Sequence, residues 1–189
     1  MKRTIIILIL IITAIGLGYA YEQVSIALQK RAHPMPAELE EHVMKYSKEY
    51  NVPPYIILSV IKAESSFQSN AVSPSAGAVG LMQIMPDTFD WLMTRTGESH
   101  AQGMLFDPAT NIKYGTFYLR YIYDQLGDWD LVFAGYNAGH NLVRNNWMNN
   151  PEIVHDGKLI ISEIPFEETR NYVIRVNRNI DMYKKLYFS

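Results

Sequence analysis

Glu64 is the carboxylate in this chain whose local sequence best suits proton transfer. It ends a segment from Tyr55 to about Ser65 whose interior, Ile56-Ile57-Leu58 and Val60-Ile61, is apolar nearly all round. That pattern predicts a helix buried at the centre of a domain. At its carboxyl end the macrodipole disfavours a negative charge, and burial pushes the same way. Both favour the protonated carboxyl. An acid kept neutral near physiological pH is what protonating a glycosidic oxygen requires. On periodicity alone, a solvent-facing glutamate in the last turn of a helix is the commoner case, so the rest of the chain has to decide.

The elements that would hold Glu64 read as helices. Leu39, Val43, Tyr46 and Tyr50 share one face, and Asn51-Val52-Pro53-Pro54 ends that helix and starts the next at Pro54. A polar loop, Phe67 to Val79, follows the Glu64 helix. Pro86-Asp87 opens a helix to about Thr94, and Asp107-Pro108 opens another, with Asp as N-cap and Pro at the first helical position. Its inward stripe, Ile112, Gly115, Leu119, Ile122 and Leu126, stops at Gly127. A short helix from Trp129 to Asn137 is stopped by Gly139, and the last runs from about Glu167 to Tyr187. Between them Val154 to Leu159 carries an Asp156-Gly157 turn and predicts a small hairpin. The fold class is all-α.

Four segments stand in order along these elements. They are Ile61-Lys62-Ala63-Glu64-Ser65-Ser66-Phe67, Gly80-Leu81-Met82-Gln83-Ile84-Met85-Pro86, Ala134-Gly135-Tyr136-Asn137-Ala138-Gly139, and Ile164-Pro165-Phe166-Glu167-Glu168-Thr169-Arg170-Asn171-Tyr172-Val173. They resemble the signature blocks of the soluble lytic transglycosylase (SLT) domain family, within the goose-type-lysozyme-like superfamily. The resemblance covers about Ala37 to Tyr187. It departs in a loop around Ser73–Gly80 one residue longer than usual, in Ser69 for a common proline, and in Gly135 for a usual alanine.

The resemblance implies a lysozyme-like helical fold with a cleft for glycan strands of peptidoglycan, and Glu64 as the catalytic acid. It implies cleavage between N-acetylmuramic acid and N-acetylglucosamine without water, closing a 1,6-anhydro ring. A single glutamate serving as acid and then base would explain why no second acid has an obvious partner role, although most glycosidases need two. Glu168 is placed at the cleft wall. Ser73, Met82, Gln83, Met85, Tyr136, Asn137 and Tyr172 are the further substrate-binding positions implied. Each also has a structural reading: a turn before Pro74 for Ser73, core packing for Met82 or Met85, a buried tyrosine satisfied by backbone for Tyr172.

Upstream, Lys2-Arg3 precede an uncharged apolar run of about 17 residues, Thr4 to Ala20. Residues 1–20 therefore read as a signal anchor, or a signal peptide cut after Gly18-Tyr19-Ala20; the greasy stretch Ile5–Ile12 favours the anchor. Residues 21–36 read as a linker and 37–189 as the catalytic domain, outside the cytoplasm. No cysteine is present, which excludes disulfides, a thiolate nucleophile and a lipoprotein cysteine. Net charge is −2, with no basic stripe to bind nucleic acid. The five histidines lack ligand spacing, so no metal and no cofactor is expected. His140, after the third block, reads as a helix-start residue or a cleft rim. The expected partners are peptidoglycan, the membrane and an envelope assembly that the sequence does not identify. Two other functions fit the same blocks: a lysozyme-type hydrolase, and an idle peptidoglycan-binding module.

Overall fold

The computed structural model describes residues 2–188, and the chain divides into two units between residues 35 and 36. The first unit is one helix, α1 (Lys2–Ala32), whose most apolar 18-residue window has a mean hydropathy of 2.3. By length and composition it suits a membrane span, a test a signal sequence also passes. At 1.5 Å per residue it is about 46 Å long, against roughly 30 Å of hydrocarbon in a bilayer. The helix continues through residues 21–32, where a linker is expected. Tyr21 to Ala32 contains no glycine or proline, and the first breaker is Pro34.

The second unit, residues 36–188, is built around helix α3 (Pro54–Ser65). Proline at its first turn supplies the fixed φ that a helix start needs. Ile57, Leu58, Val60 and Ile61 are wholly buried, so α3 has almost no solvent face and must be surrounded. Helices α2 (Ala37–Tyr50) and α8 (Glu167–Tyr187) pack against it. Asn179 Nδ2 on α8 donates to the Ser59 carbonyl at 3.2 Å, tying chain segments 120 residues apart. Helix α5 (Pro108–Leu126) packs against α2 and against α6 (Trp129–Ala138). Asp107 caps α5 by accepting from Thr110 N at 2.8 Å, and Gly127 ends it in a left-handed conformation. Helix α4 (Pro86–Thr96) lies against α5 and ends at left-handed Gly97.

The hairpin is present in miniature. Strands β1 (Val154–His155) and β2 (Lys158–Leu159) pair antiparallel, Val154 opposite Leu159. Asp156 and Gly157 both have positive φ, as the mirror-image turns favoured in two-residue hairpins demand. Helix α7 (His140–Leu142) starts at His140, one of the two readings of that residue; the π turn it runs into, Val143–Trp147, and the 3-10 turns Gln102–Phe106 and Ile161–Glu163 were not foreseen. Gly139 (φ 99°) ends α6, but the chain re-enters helix at once.

The segment between α3 and α4 is held by backbone. Ser66 and Phe67 both take positive φ and turn the chain away from α3. Val79 then bridges to Val72 on one side and Ile84 on the other. Gly80 (φ 82°) approaches so closely that a Cβ there would overlap the Leu105 carbonyl oxygen and the Asn111 side chain. A left-handed Cβ alone costs an L-residue about 1–2 kcal/mol. Gly80→Ala should therefore lose at least about 2 kcal/mol of stability in urea unfolding, since a backbone carbonyl cannot step aside.

Candidate active site

Glu64 is the penultimate residue of α3, one turn beyond buried Ile61. Ser65, next to it, donates from Oγ to the Leu81 carbonyl at 2.8 Å. That bond pins the 79–85 loop beside the end of α3. From α5, buried Asn111 accepts from Met82 N at 2.7 Å and donates to the carbonyls of Val79 (2.9 Å) and Leu105 (2.8 Å). From α6, the Tyr136 hydroxyl donates to the Met82 carbonyl at 2.8 Å. The loop is thus fixed from three helices through its main chain, and its side chains are free to differ in role.

A cavity of about 220 Å³ opens over Glu64. Ser73, Gln83, Met85, Tyr136, Asn137 and Glu168 line it, together with Ala76 and Ala78. Six of the eight substrate-binding positions read from the sequence therefore meet at one place with Glu64. The other two do not line the cavity. Met82 is fully buried, its sulfur seated in the slot left by the missing side chain of Gly115. This corrects its placement as a cleft residue: Met82 shapes the site through its backbone. Tyr172 is 1% exposed and lies beneath the wall.

The lining groups are already oriented. Gln83, held at positive φ, donates from its amide to the carbonyls of Gly80 (2.9 Å) and Ala71 (3.2 Å), which leaves its amide oxygen as the acceptor for a ligand. Thr169 on α8 donates to Asn137 Oδ1 at 2.7 Å, so Asn137 keeps its NH2 for the cavity. The Ser73 hydroxyl oxygen accepts from Ala76 N at 3.3 Å; the serine both closes its turn and faces the cavity.

Burial pushes the Glu64 carboxyl up to about 7, and the Glu168 carboxylate adds to the rise. The Tyr172 hydroxyl and the Arg175 guanidinium pull the other way and are outweighed. Burial, then the charge of Glu64, holds the phenols of Tyr136 and Tyr172 well above 10, so both remain hydrogen donors at any working pH. Tyr172 Oη is near enough to influence Glu64 yet makes no fully formed hydrogen bond. It is a buried donor held in reserve beside an acid. Among the described residues no cluster of His, Asp or Glu is arranged to hold a metal ion.

Three contributors were missed in the sequence. Thr169 and Arg175 lie on the same helix as Glu168 and Tyr172, and Arg175 follows Tyr172 by three residues, on one face. Its guanidinium stands 5.5 Å over the Tyr172 ring. Asn111 lies just ahead of the apolar stripe of α5, four residues before Gly115, and is buried with it.

Known proteins resemble the chain in sequence and in fold. The family profile described as "Transglycosylase SLT domain" matches residues 41–155. The soluble lytic murein transglycosylase of Escherichia coli (strain K12) is 36% identical over 157 residues, 80% of this chain and 23% of that protein. The chain thus spans about a quarter of the length of that relative. The membrane-bound lytic murein transglycosylase C of Actinobacillus succinogenes is 28% identical over 167 residues, 76% of this chain and 46% of the relative. Among solved structures, the 70-kDa soluble lytic transglycosylase of E. coli superposes with a TM-score of 0.74 at 32% identity, covering 83% of this chain and 25% of its own. An inactive Glu-to-Gln mutant of lytic transglycosylase Slt from Pseudomonas aeruginosa gives 0.72 at 30% identity, covering 82% and 25%.

Proposed function

The chain belongs to the transglycosylase SLT domain family, and from that premise we propose that it is a peptidoglycan lytic transglycosylase with Glu64 as its acid and base. The observation that carries this reading is the convergence of all four sequence blocks on one cavity, around a carboxyl that stays protonated up to about pH 7.

In the proposed reaction the Glu64 carboxyl protonates the glycosidic oxygen between N-acetylmuramic acid and N-acetylglucosamine. The bond from that oxygen to the anomeric carbon breaks, with the substrate's acetamido group assisting. The Glu64 carboxylate then takes the proton of the muramic acid 6-hydroxyl, whose oxygen closes on the anomeric carbon. The proton that left Glu64 is replaced and no water is consumed. Tyr172, Gln83 and Asn137 supply donors and acceptors already set in place, the kind of preorganisation that favours a transition state over a flexible ground state. Glu168 stands in the wall as a charge that adds to the rise burial gives Glu64. Residues 37–189 would form the catalytic domain and α1 its anchor in the cell envelope, with the domain outside the cytoplasm.

The test is a digest of purified peptidoglycan by the full chain in detergent, with the muropeptides read by mass spectrometry. Products ending in 1,6-anhydromuramic acid support the reading. Reducing ends would make the same site a hydrolase, and an absence of products would make the domain a binder.

The acid sets a pH dependence. Glu64 must begin each turnover protonated, so kcat/KM should fall about tenfold per pH unit above about 7. Tyr172→Phe removes a group that lowers this pKa, so its alkaline limb should move to higher pH. A limb that stays put, or moves down, would show that Tyr172 does not act on Glu64.

A further inference from the structure

The cavity over Glu64 does not end there. Gln83, Met85, Tyr136 and Asn137 also line a neighbouring cavity of about 290 Å³, which shares Thr88 and Tyr118 with a third of about 450 Å³. Each cavity thus shares wall residues with the next. None of the four sequence blocks supplies the principal groups of the third cavity.

Its centre is Trp91 on α4. The ring is not available for stacking a sugar. His140 lies on it at 5.8 Å and 26°, and the Arg95 guanidinium stands 5.2 Å over it. Tyr118 and Tyr121 close its edges. The cavity therefore offers charge in place of an aromatic face. Arg95 is carried by the Trp91 and Tyr121 rings, and Arg144 is oriented by two neutral amides, Gln125 Oε1 at 2.7 Å and Asn145 Oδ1 at 3.2 Å. Among the described residues neither guanidinium has a carboxylate partner within salt-bridge distance. Asp87 is the one carboxylate on the wall, and burial pushes His140 toward its neutral form. Arg144 keeps Nη2 for a ligand, and among the described residues the Arg95 guanidinium makes no hydrogen bond, so both have donors left for a carboxylate.

We propose that this third cavity is a carboxylate subsite for the peptide stem of the glycan strand, with Arg95 and Arg144 as its ligands. The proposal rests on peptidoglycan being the substrate. A strand lying along the three cavities would carry its stem acids past these two arginines while a glycosidic bond lies over Glu64. The subsite would select stem-bearing strands over denuded ones without touching the reacting atoms.

Two measurements on the full chain in detergent test it. The first compares Arg95→Ala/Arg144→Ala with wild type on stem-bearing strands and on strands stripped by an amidase. Loss of charge-assisted contacts should lower kcat/KM about tenfold on the former, mainly through KM. Turnover of stripped strands should be unchanged, and Arg95→Lys/Arg144→Lys should recover part of the loss. Equal losses on both substrates, or none on stem-bearing strands, would overturn the subsite. The second needs no turnover, so it separates this proposal from the enzymatic reading. A synthetic stem peptide is titrated while the Trp91 indole NMR signal is followed. A saturable shift abolished in the double alanine variant supports the subsite; no shift, or an unaltered one, refutes it.

Discussion

Replacing Glu64 with glutamine should lower kcat on peptidoglycan by about 10²–10⁴-fold, the usual contribution of a positioned general acid or base. It should also make the protein more stable at pH 8. The signs follow from one fact: the carboxyl rises from 4.5 to about 7 on folding. Between those values the unfolded chain gives up the proton that the folded chain keeps. Folding stability therefore falls as pH rises from about 4.5 to about 7, and above that the folded protein carries the full cost of a buried carboxylate. A shift of that size corresponds to at most about 3 kcal/mol, reduced because part of Glu64 faces the cavity. Glutamine keeps the shape and never ionises. Glu64→Gln should thus melt higher than wild type at pH 8 and equal to it at pH 4. Lost activity with unchanged melting at pH 8 would mean the carboxyl is solvated, and with it the account of why it is an acid would fail.

Asn111→Leu should be among the most destabilising single substitutions in the domain. The Asn111 side chain is buried and satisfies three main-chain groups: the Met82 N–H and the carbonyls of Val79 and Leu105. Leucine fits the volume but leaves the Met82 N–H and the Leu105 carbonyl unpaired, while the Val79 carbonyl keeps its bond from Ile84 N at 3.1 Å. At about 1–3 kcal/mol for each of these two buried orphans, the expected loss is roughly 2–6 kcal/mol. Much of the total stability of a domain this size is at stake. Chemical denaturation measures it. A loss under about 1 kcal/mol would mean that water or a loop shift replaces the amide, and that the 79–85 loop is held chiefly by Ser65 and Tyr136. Activity should fall further than folded fraction accounts for, because Gln83 and Met85 ride on the same loop.

The helices were legible because their ends are written in residues with one physical meaning. Asp107-Pro108 starts α5, glycines stop α4 and α5, and Asp156-Gly157 turns the hairpin. The burial of α3 was legible from an apolar run without a polar face, and that run put Glu64 where its carboxyl resists ionisation. Three things were not. Met82, Gln83 and Met85 sit in one motif, but Gln83 takes positive φ. No regular periodicity describes such a stretch, so which side chain faces the core depends on a slot at Gly115, far along the chain. Gly139 reads as a stop and His140 as a helix start, but no residue pattern marks the π turn, Val143–Trp147, into which α7 runs. The reach of α1 to Ala32 was hidden by composition: polar residues after Tyr21 resemble a linker, while helix continuation needs only the absence of breakers.

The contact between α3 and α8 has a consequence for how the protein comes into being. Synthesis delivers α3 early and α8 last, and the Asn179–Ser59 bond spans 120 residues of chain. Until the C-terminal helix emerges, the most apolar helix of the domain has no cover on one side. A nascent chain is therefore exposed to aggregation from the synthesis of α3 until that of α8, and slow to fold because its central contacts are distant in sequence. The same order withholds Tyr172 and Glu168 until α8 is made, so no chain stopped before α8 holds a complete acid site. A wall-cutting activity would switch on only once α8 has packed.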